Sequence, residues 1–435
     1  MRLIVYLGLA VAAGLVSFAL SWVIVKLSHR YRLYPGIRDR DVHTRPTPRL
    51  GGVALFLAIA VAFTIGAFVP QLSLVYSEPG KVLAVVGSAA LIVLLGVADD
   101  LWDLDWLTKL AGQFLVAGLL AWQGVQIGAL PMPGGSLVLL SPYLSLAITA
   151  LVVVLVMNAI NFIDGLDGLV AGFAIITNGV FAVYVYLISY GPTEQSDYFN
   201  LAQLVTVVLV GACLGFLPWN ARLRDDRPAR LFMGDGGSML VGLLMAASTL
   251  LVTGQIDPGR ITGDPDAGSV IGAQGLVPAF IPFLLPFAVL TVPLVDFGLA
   301  VLRRMRAGKS PFSADRQHLH HRLLDMGHSH RHAVWLLYGW TAAAAVGCLL
   351  FLLVDWWWAL GFALAALVGC TLLTLAPLSR RKRIEATAQL TATDAETGAV
   401  LAPFDPLDAA ADELPLDVEP HLDTAETGSH PAVER

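Results

Sequence analysis

The stretch YLSLAITALVVVLVMNAINFIDGLDG, residues 143–168, carries no charged side chain until Asp164. A bilayer core takes about 20 apolar residues of helix, and residues 143–160 supply such a run. Polar residues then arrive together, with Asn158, Asn161, Asp164 and Asp167 spaced every three positions. Asn158 to Asp164 would share one helical face. Gly165 and Gly168 permit a tight turn that returns Asp167 to the same space. Two amides and two carboxylates in an apolar setting make an oxygen-ligand set suited to Mg²⁺. Capping of a turn by Asn and Asp accounts for one or two of these residues, not readily for four.

The rest of the chain extends that reading. Of 435 residues, 56% are hydrophobic and 14% charged, with a mean hydropathy of +0.71. Soluble domains carry about 25% charged residues, so a soluble enzyme, a coiled coil and a disordered protein are excluded. The expectation is an all-α polytopic integral membrane protein with eleven transmembrane helices, at 3–27, 50–70, 82–98, 108–123, 143–160, 166–190, 201–219, 237–254, 277–302, 333–354 and 356–377. The first is read as a retained span, because its apolar run is too long for a signal peptide and no small-residue cleavage site precedes the basic loop. Of the 27 Lys and Arg, 24 fall in 28–49, 220–236, 303–332 and 378–435 or at Lys26 and Lys109, leaving Arg2, Lys81 and Arg260 for the other side. The positive-inside rule then puts the N-terminus outside and the C-terminus in the cytoplasm.

Two regions are expected, a transmembrane catalytic domain over 1–377 and an acidic cytoplasmic tail over 378–435. The tail holds 12 acidic residues against 5 basic, whereas the body is nearly balanced at 21 against 22. The net charge of −6 therefore belongs to the tail and says nothing about substrate. Residues 384–435 are rich in Ala, Thr, Pro, Asp and Glu, a composition expected to stay disordered. The three cysteines are far apart and offer neither a disulfide framework nor metal-ligand spacing.

Three further clusters carry chemistry. Asp99-Asp100 closes the third span at the unfavourable end of its helix dipole, and acidic residues in a membrane segment default to function; Asp103 and Asp105 read as a solvated loop start. Leu231-Phe232-Met233-Gly234-Asp235-Gly236-Gly237-Ser238 places glycines around an Asp where a helix begins. Exposed backbone N–H groups there suit phosphate, although a plain N-cap looks similar. Pro311 to Arg322 contains Arg316, His318, His320 and His321, and six of the ten histidines lie between 318 and 332. Such groups suit a pyrophosphate, and without cysteine a zinc site is the poorer fit. His328, His330 and His332 read as solvated. The pattern converges on metal-assisted phosphoryl transfer at a membrane surface. The absence of a Walker-type lysine or a kinase motif argues against a nucleoside triphosphate donor.

These clusters, in this order, together with Asp41-Val-His43-Thr-Arg45-Pro46-Thr-Pro48-Arg49-Leu-Gly51-Gly52, resemble the polyprenyl-phosphate N-acetylhexosamine-1-phosphate transferases, the family of WecA, TagO and MraY. The resemblance runs over about residues 30–335. The His-Leu-His-His form and the eleven-span layout are similar to the WecA branch, and the Arg- and Ala-rich character to actinobacterial members that use decaprenyl phosphate. The resemblance implies transfer of N-acetylglucosamine-1-phosphate from UDP-N-acetylglucosamine to a polyprenyl phosphate, releasing UMP. It implies a multi-pass protein of the plasma membrane with a cytoplasmic active site, serving the first membrane step of cell-wall or surface polysaccharide assembly. By position it implies Asp235 and Asn161 as ligands of Mg²⁺, with Mn²⁺ as a substitute. Phe232 would stack on uracil, with Asn158 and Gly234 also on the nucleotide. Asp99 and Asp100 would sit by the lipid phosphate, with Asp164 and Asp167 in the catalytic set. Arg316, His318, His320 and His321 would hold pyrophosphate and sugar, and His43 and Arg49 a lipid or nucleotide loop. No nucleic acid partner is implied, and a homodimer stays open. The insert at 222–227, after Asn220, departs from the family pattern. The alternatives are MraY-like transfer of phospho-N-acetylmuramoyl-pentapeptide and, in a different class, divalent-cation transport. Transporters place their ligands near the midplane, whereas Asp99, Asp164, Asp235 and Asp296 all lie toward the cytoplasmic side of the expected topology.

Overall fold

Apolar runs immersed in lipid must satisfy their backbone N–H and C=O groups internally, which selects the helix. The computed structural model describes residues 2–31, 47–131, 137–189, 197–221, 228–253, 290–306, 308 and 319–397. Its helices are α1 (Arg2–Tyr31), α2 (Gly51–Ala67), α3 (Pro79–Trp102), α4 (Trp106–Trp122), α5 (Pro142–Ile163), α6 (Leu169–Ser189), α7 (Asp197–Asn220), α8 (Gly234–Thr253), α9 (Thr291–Arg306), α10 (Leu319–Asp325), α11 (His330–Leu353) and α12 (Trp356–Thr397). The all-α expectation needs one correction. A short antiparallel hairpin, β1 (Ala129–Pro131) with β2 (Leu137–Leu139), joins α4 to α5.

The chain is a polytopic membrane protein. Among the described residues, eight helices are long and apolar enough to cross a membrane, against eleven expected spans. Each of the eleven expected spans overlaps a described helix, but three are not described as full spans. Helices α2 and α4 have 17 residues each, only about 25 Å at 1.5 Å per residue. The chain after α2 bends by 98° into the segment Pro70–Ser77. The helix matching 277–302 is described only from Thr291, so 277–289 lie outside the described residues.

Helix α8 is the axis of the bundle. Every residue from Gly236 to Ser248 is buried, against α2, α3, α5 and α7. Hydrophobicity alone does not drive helices together in lipid, so close packing of small residues does much of that work. At the crossing of α3 and α8 a β-carbon on Gly96 would overlap the backbone of Gly236. Ala10 and Gly14 of α1 meet Gly211 and Gly215 of α7 in the same way. The outer faces are apolar where they meet lipid, as at Trp357, Leu364, Val368 and Leu372 of α12.

The chain divides into two units, Met1–Ser379 and Arg380–Arg435. The expected boundary at 377/378 falls inside α12, which continues unbroken to Thr397. Residues 384–397, read as unstructured from composition, are helical; Ala, Glu, Gln and Leu within them are strong helix formers. Residues 398–435 lie outside the described residues.

Successive helices alternate in direction, which brings polar termini together. The C-terminal ends of α3, α5 and α7 and the N-terminal ends of α2, α4, α6 and α8 meet at one end of the bundle.

Candidate active site

Helix α8 starts on Gly234, held at φ +70°, a left-handed conformation that side chains with a β-carbon resist. A β-carbon there would also overlap the carbonyl oxygen of Arg49. The segment leading into Gly234 is stitched to the start of α2. Phe232 N donates to Pro48 O at 2.8 Å, Gly51 N to Phe232 O at 3.0 Å and Gly52 N to Met233 O at 2.9 Å. Arg49 and the 232–235 segment therefore form one unit. Asp235 N donates to Asp100 Oδ2 at 3.2 Å. Asp100 thus sits at the unfavourable end of its own helix but at the favourable start of α8.

Lys109 joins the carboxylates. From the first turn of α4 its Nζ donates to Asp99 Oδ2 at 3.2 Å and to Asp235 Oδ2. Asp105 begins that helix as its N-cap, accepting from Leu107 N and Thr108 N at 3.0 Å each. The hydroxyl and backbone N–H of Thr108 hold its carboxyl below the usual carboxylate range. Asp105, expected as a solvated loop residue, is therefore the exposed cap that sets where α4, and Lys109 with it, begins.

The end of α5 closes the other side. Asn161 Oδ1 accepts from Ser238 Oγ at 2.7 Å. Asp164 follows in the turn and is half-buried. Burial, and then the negative charges of Asp235, Asp100 and Asp167, push its carboxyl up to about 8 against the pull of Arg49. Asp167 Oδ2 accepts from Ala229 N at 3.2 Å, tying the turn to the loop before Phe232. Asn220 does likewise: its Oδ1 accepts from Gly168 N at 3.1 Å and its Nδ2 donates to Leu231 O at 3.1 Å. Tyr338 of α11 adds a bond from its hydroxyl to Gly168 O at 2.6 Å.

The expected set is thus brought together in Asp99, Asp100, Asn161, Asp164, Asp167, Gly234, Asp235 and Arg49, with Phe232 half-buried beside them. Asn158 lies a turn deeper, its amide donating to Gln113 Oε1 at 2.6 Å and Val154 O at 2.8 Å. His43, Arg316 and His318 lie outside the described residues, as do the side chains of His320 and His321 on α10. Helix α10 itself reaches the Asp164–Gly168 turn, because Leu323 packs with Leu166, Leu169, Ala333 and Leu337.

Four residues carry structure that the sequence reading left without a role: Lys109, Ser238, Asn220 and Tyr338. Lys109 had a usable signal. A cation in the first turn of a helix opposes the dipole, so a lysine there calls for anionic partners. Among the described residues no group of three His, Cys, Asp or Glu side chains is disposed to hold a metal ion by itself. Mg²⁺ commonly takes only one or two carboxylates and completes its shell with water and substrate phosphate. Asp235 and the amide oxygen of Asn161, joined through Ser238 at the start of α8, fit that chemistry.

Comparison with known proteins follows the same residues. The family model described as glycosyl transferase family 4 matches residues 82–253, a range holding Asp99, Asp100, Lys109, Asn161 and Asp235. The chain is 41% identical over 339 residues to a protein of Mycolicibacterium smegmatis named decaprenyl-phosphate N-acetylglucosaminephosphotransferase, covering 77% of this chain and 79% of that one. It is 27% identical over 334 residues to the undecaprenyl-phosphate alpha-N-acetylglucosaminyl 1-phosphate transferase of Yersinia pestis, covering 76% and 80%. A phospho-N-acetylmuramoyl-pentapeptide-transferase of Mycobacterium sp. (strain KMS) is 31% identical over 281 residues, covering 56% of this chain and 75% of its own.

Proposed function

This chain belongs to glycosyl transferase family 4, the polyprenyl-phosphate N-acetylhexosamine-1-phosphate transferases, and from that premise we propose that it moves N-acetylglucosamine-1-phosphate from UDP-N-acetylglucosamine to decaprenyl phosphate. An oxygen of the lipid phosphate attacks the phosphorus that carries the sugar, the bond to the second phosphate breaks, and UMP leaves. Direct attack is favoured over a covalent aspartyl intermediate, because a lipid phosphate dianion is already a nucleophile.

One observation carries the reading: a single ammonium, that of Lys109, holds Asp99 of α3 and Asp235 of α8 together. Asp99 ends a membrane helix and is assigned to the acceptor phosphate, which it positions or deprotonates. Asp235, at a helix N-terminus with backbone donors, is assigned to the donor pyrophosphate. Both substrates are anionic, and Lys109 and Arg49 provide positive charge where they meet. Asp235 and Asn161 would hold Mg²⁺, which when bound would supply positive charge that stabilises the departing UMP. Phe232 is assigned to the uracil ring, and Arg316, His318, His320 and His321 to pyrophosphate and sugar. Asp164 and Asp167 shape the turn that closes the site. The remaining expectations belong to the same proposal: eleven spans, the N-terminus outside, the site on the cytoplasmic face of the plasma membrane, and a catalytic domain ending near residue 377.

Membranes containing the protein, incubated with labelled UDP-N-acetylglucosamine, decaprenyl phosphate and Mg²⁺, should yield a labelled pyrophosphoryl lipid and an equal amount of UMP. Release of UDP instead of UMP, or no lipid product, would sink this reading.

A further inference from the structure

Beneath the charged cluster lies a second layer. On α4, Gln113 is one turn further into the bundle than Lys109. On α5, Asn158 is one turn deeper than Asn161, and on α8, Met239 is one turn deeper than Asp235. Gln113 touches the other two. Asn158 Nδ2 donates to Gln113 Oε1 at 2.6 Å, Gln113 Nε2 approaches Asn158 Oδ1 at 3.5 Å, and the same Nε2 donates to Met239 Sδ at 3.1 Å. Gln113 and Met239 are fully buried. A buried primary amide must find partners, since leaving it unpaired in an apolar interior is costly. Here both ends of the Gln113 amide are engaged, by residues from the two helices that carry Asn161 and Asp235.

A helix rotates as a body, so fixing a side chain one turn away fixes the direction of the next. Residues three and four apart share a face, which links Gln113 to Lys109, Asn158 to Asn161 and Met239 to Asp235. We propose that Gln113 is a positioning residue: its amide pairing with Asn158 and its contact with Met239 set the rotation of α4, α5 and α8, so that Lys109 meets Asp235 and Asn161 meets Ser238 in the first turn of α8. It touches no substrate. Asn158 is its partner in this role. The pair acts on whatever occupies the cluster above, and it rests on the transferase reading only in what that occupant is.

The pairing predicts a specific rescue. Gln113→Met keeps length and volume but cannot pair with Asn158. Its half-saturating Mg²⁺ concentration should rise and its kcat fall by about 10–100-fold, as for residues that orient metal ligands, with the KM for lipid phosphate little changed. Gln113→Asn and Asn158→Gln should each show the loss, because the pair is then a methylene too short or too long. The double swap keeps the total length and should recover most of the wild-type Mg²⁺ response. Calorimetric titration of the purified proteins with Mg²⁺ alone gives a readout independent of turnover. If Gln113→Met does not insert, the swap series carries the test. An unaltered Mg²⁺ response in the variants, or additive losses in the double swap, would overturn the proposal. Wild-type protein that makes no lipid product, while the swap still restores Mg²⁺ binding, would refute the transferase reading and leave the positioning role standing.

Discussion

Asp99 and Asp235 share one lysine yet are assigned different duties, and substitution should separate them. Asp235→Asn should weaken Mg²⁺-dependent binding of UDP-N-acetylglucosamine together with catalysis. Asp99→Asn should leave nucleotide binding nearly intact while slowing turnover by roughly 10²–10⁴-fold if it is a general base. Calorimetric binding beside turnover decides; if Asp99→Asn abolishes nucleotide binding and Asp235→Asn does not, the roles are reversed. Asp164 adds a pH signature. Its folded carboxyl stands at about 8 against an ordinary 3.8. Between those values the unfolded chain has released a proton that the folded chain still holds. Stability therefore falls as pH rises through that window and levels off above it. In metal-free buffer the melting temperature should drop from about pH 5 to about pH 8, Mg²⁺ should reduce the drop, and Asp164→Asn should flatten it. An equal slope in the Asn variant would locate the effect elsewhere.

Between helices, the site depends on how closely α3 approaches α8. A β-carbon on Gly96 would overlap the backbone of Gly236 at their crossing, and three residues later α3 delivers Asp99 and Asp100. Gly96→Val should force the two helices apart, lower the melting temperature and cut turnover by about 10²-fold, the scale expected for an ångström of misplacement. Gly87→Val on the same helix, where a β-carbon meets nothing within 4 Å, serves as the control and should leave both unchanged. A Gly96→Val protein with wild-type turnover would show that the close crossing is dispensable. The start of α4 was less legible. Its apolar run marked a span, but only the Asp105 cap shows where the helix begins, and hence why Lys109 faces the carboxylates.

Across the whole molecule, the alternating helix directions gather the polar termini at one end of the bundle, and the proposal that this end faces the cytoplasm rests on the 24-to-3 partition of Lys and Arg and the positive-inside rule. Cysteines introduced into 28–49, 220–236 and 303–332 should resist an impermeant thiol reagent in intact cells and react once the membrane is opened. Reaction in sealed cells would invert the topology and place the site outside.

Immersion in the membrane, the positions of the helices and the identity of nearly every acidic and amide residue in the cluster were legible along the chain. Hydropathy, glycine turns and three-residue polar spacing are local properties, and a helix in lipid has no competing backbone state. Partnerships across the bundle were not legible. Lys109 meets Asp235 across 126 positions of sequence, Gln113 meets Asn158 across 45, and Asn220 meets Gly168 across 52. Local pattern shows which face of a helix is polar but not which neighbour it turns toward, because glycine-lined crossings and the rotation of each helix about its axis set that. The sequence by itself determined a membrane-embedded bundle with a polar cluster suited to phosphate and metal; only the packing of α3, α4, α5 and α8 decided that one lysine joins two carboxylates, and that a buried amide pair lies beneath them.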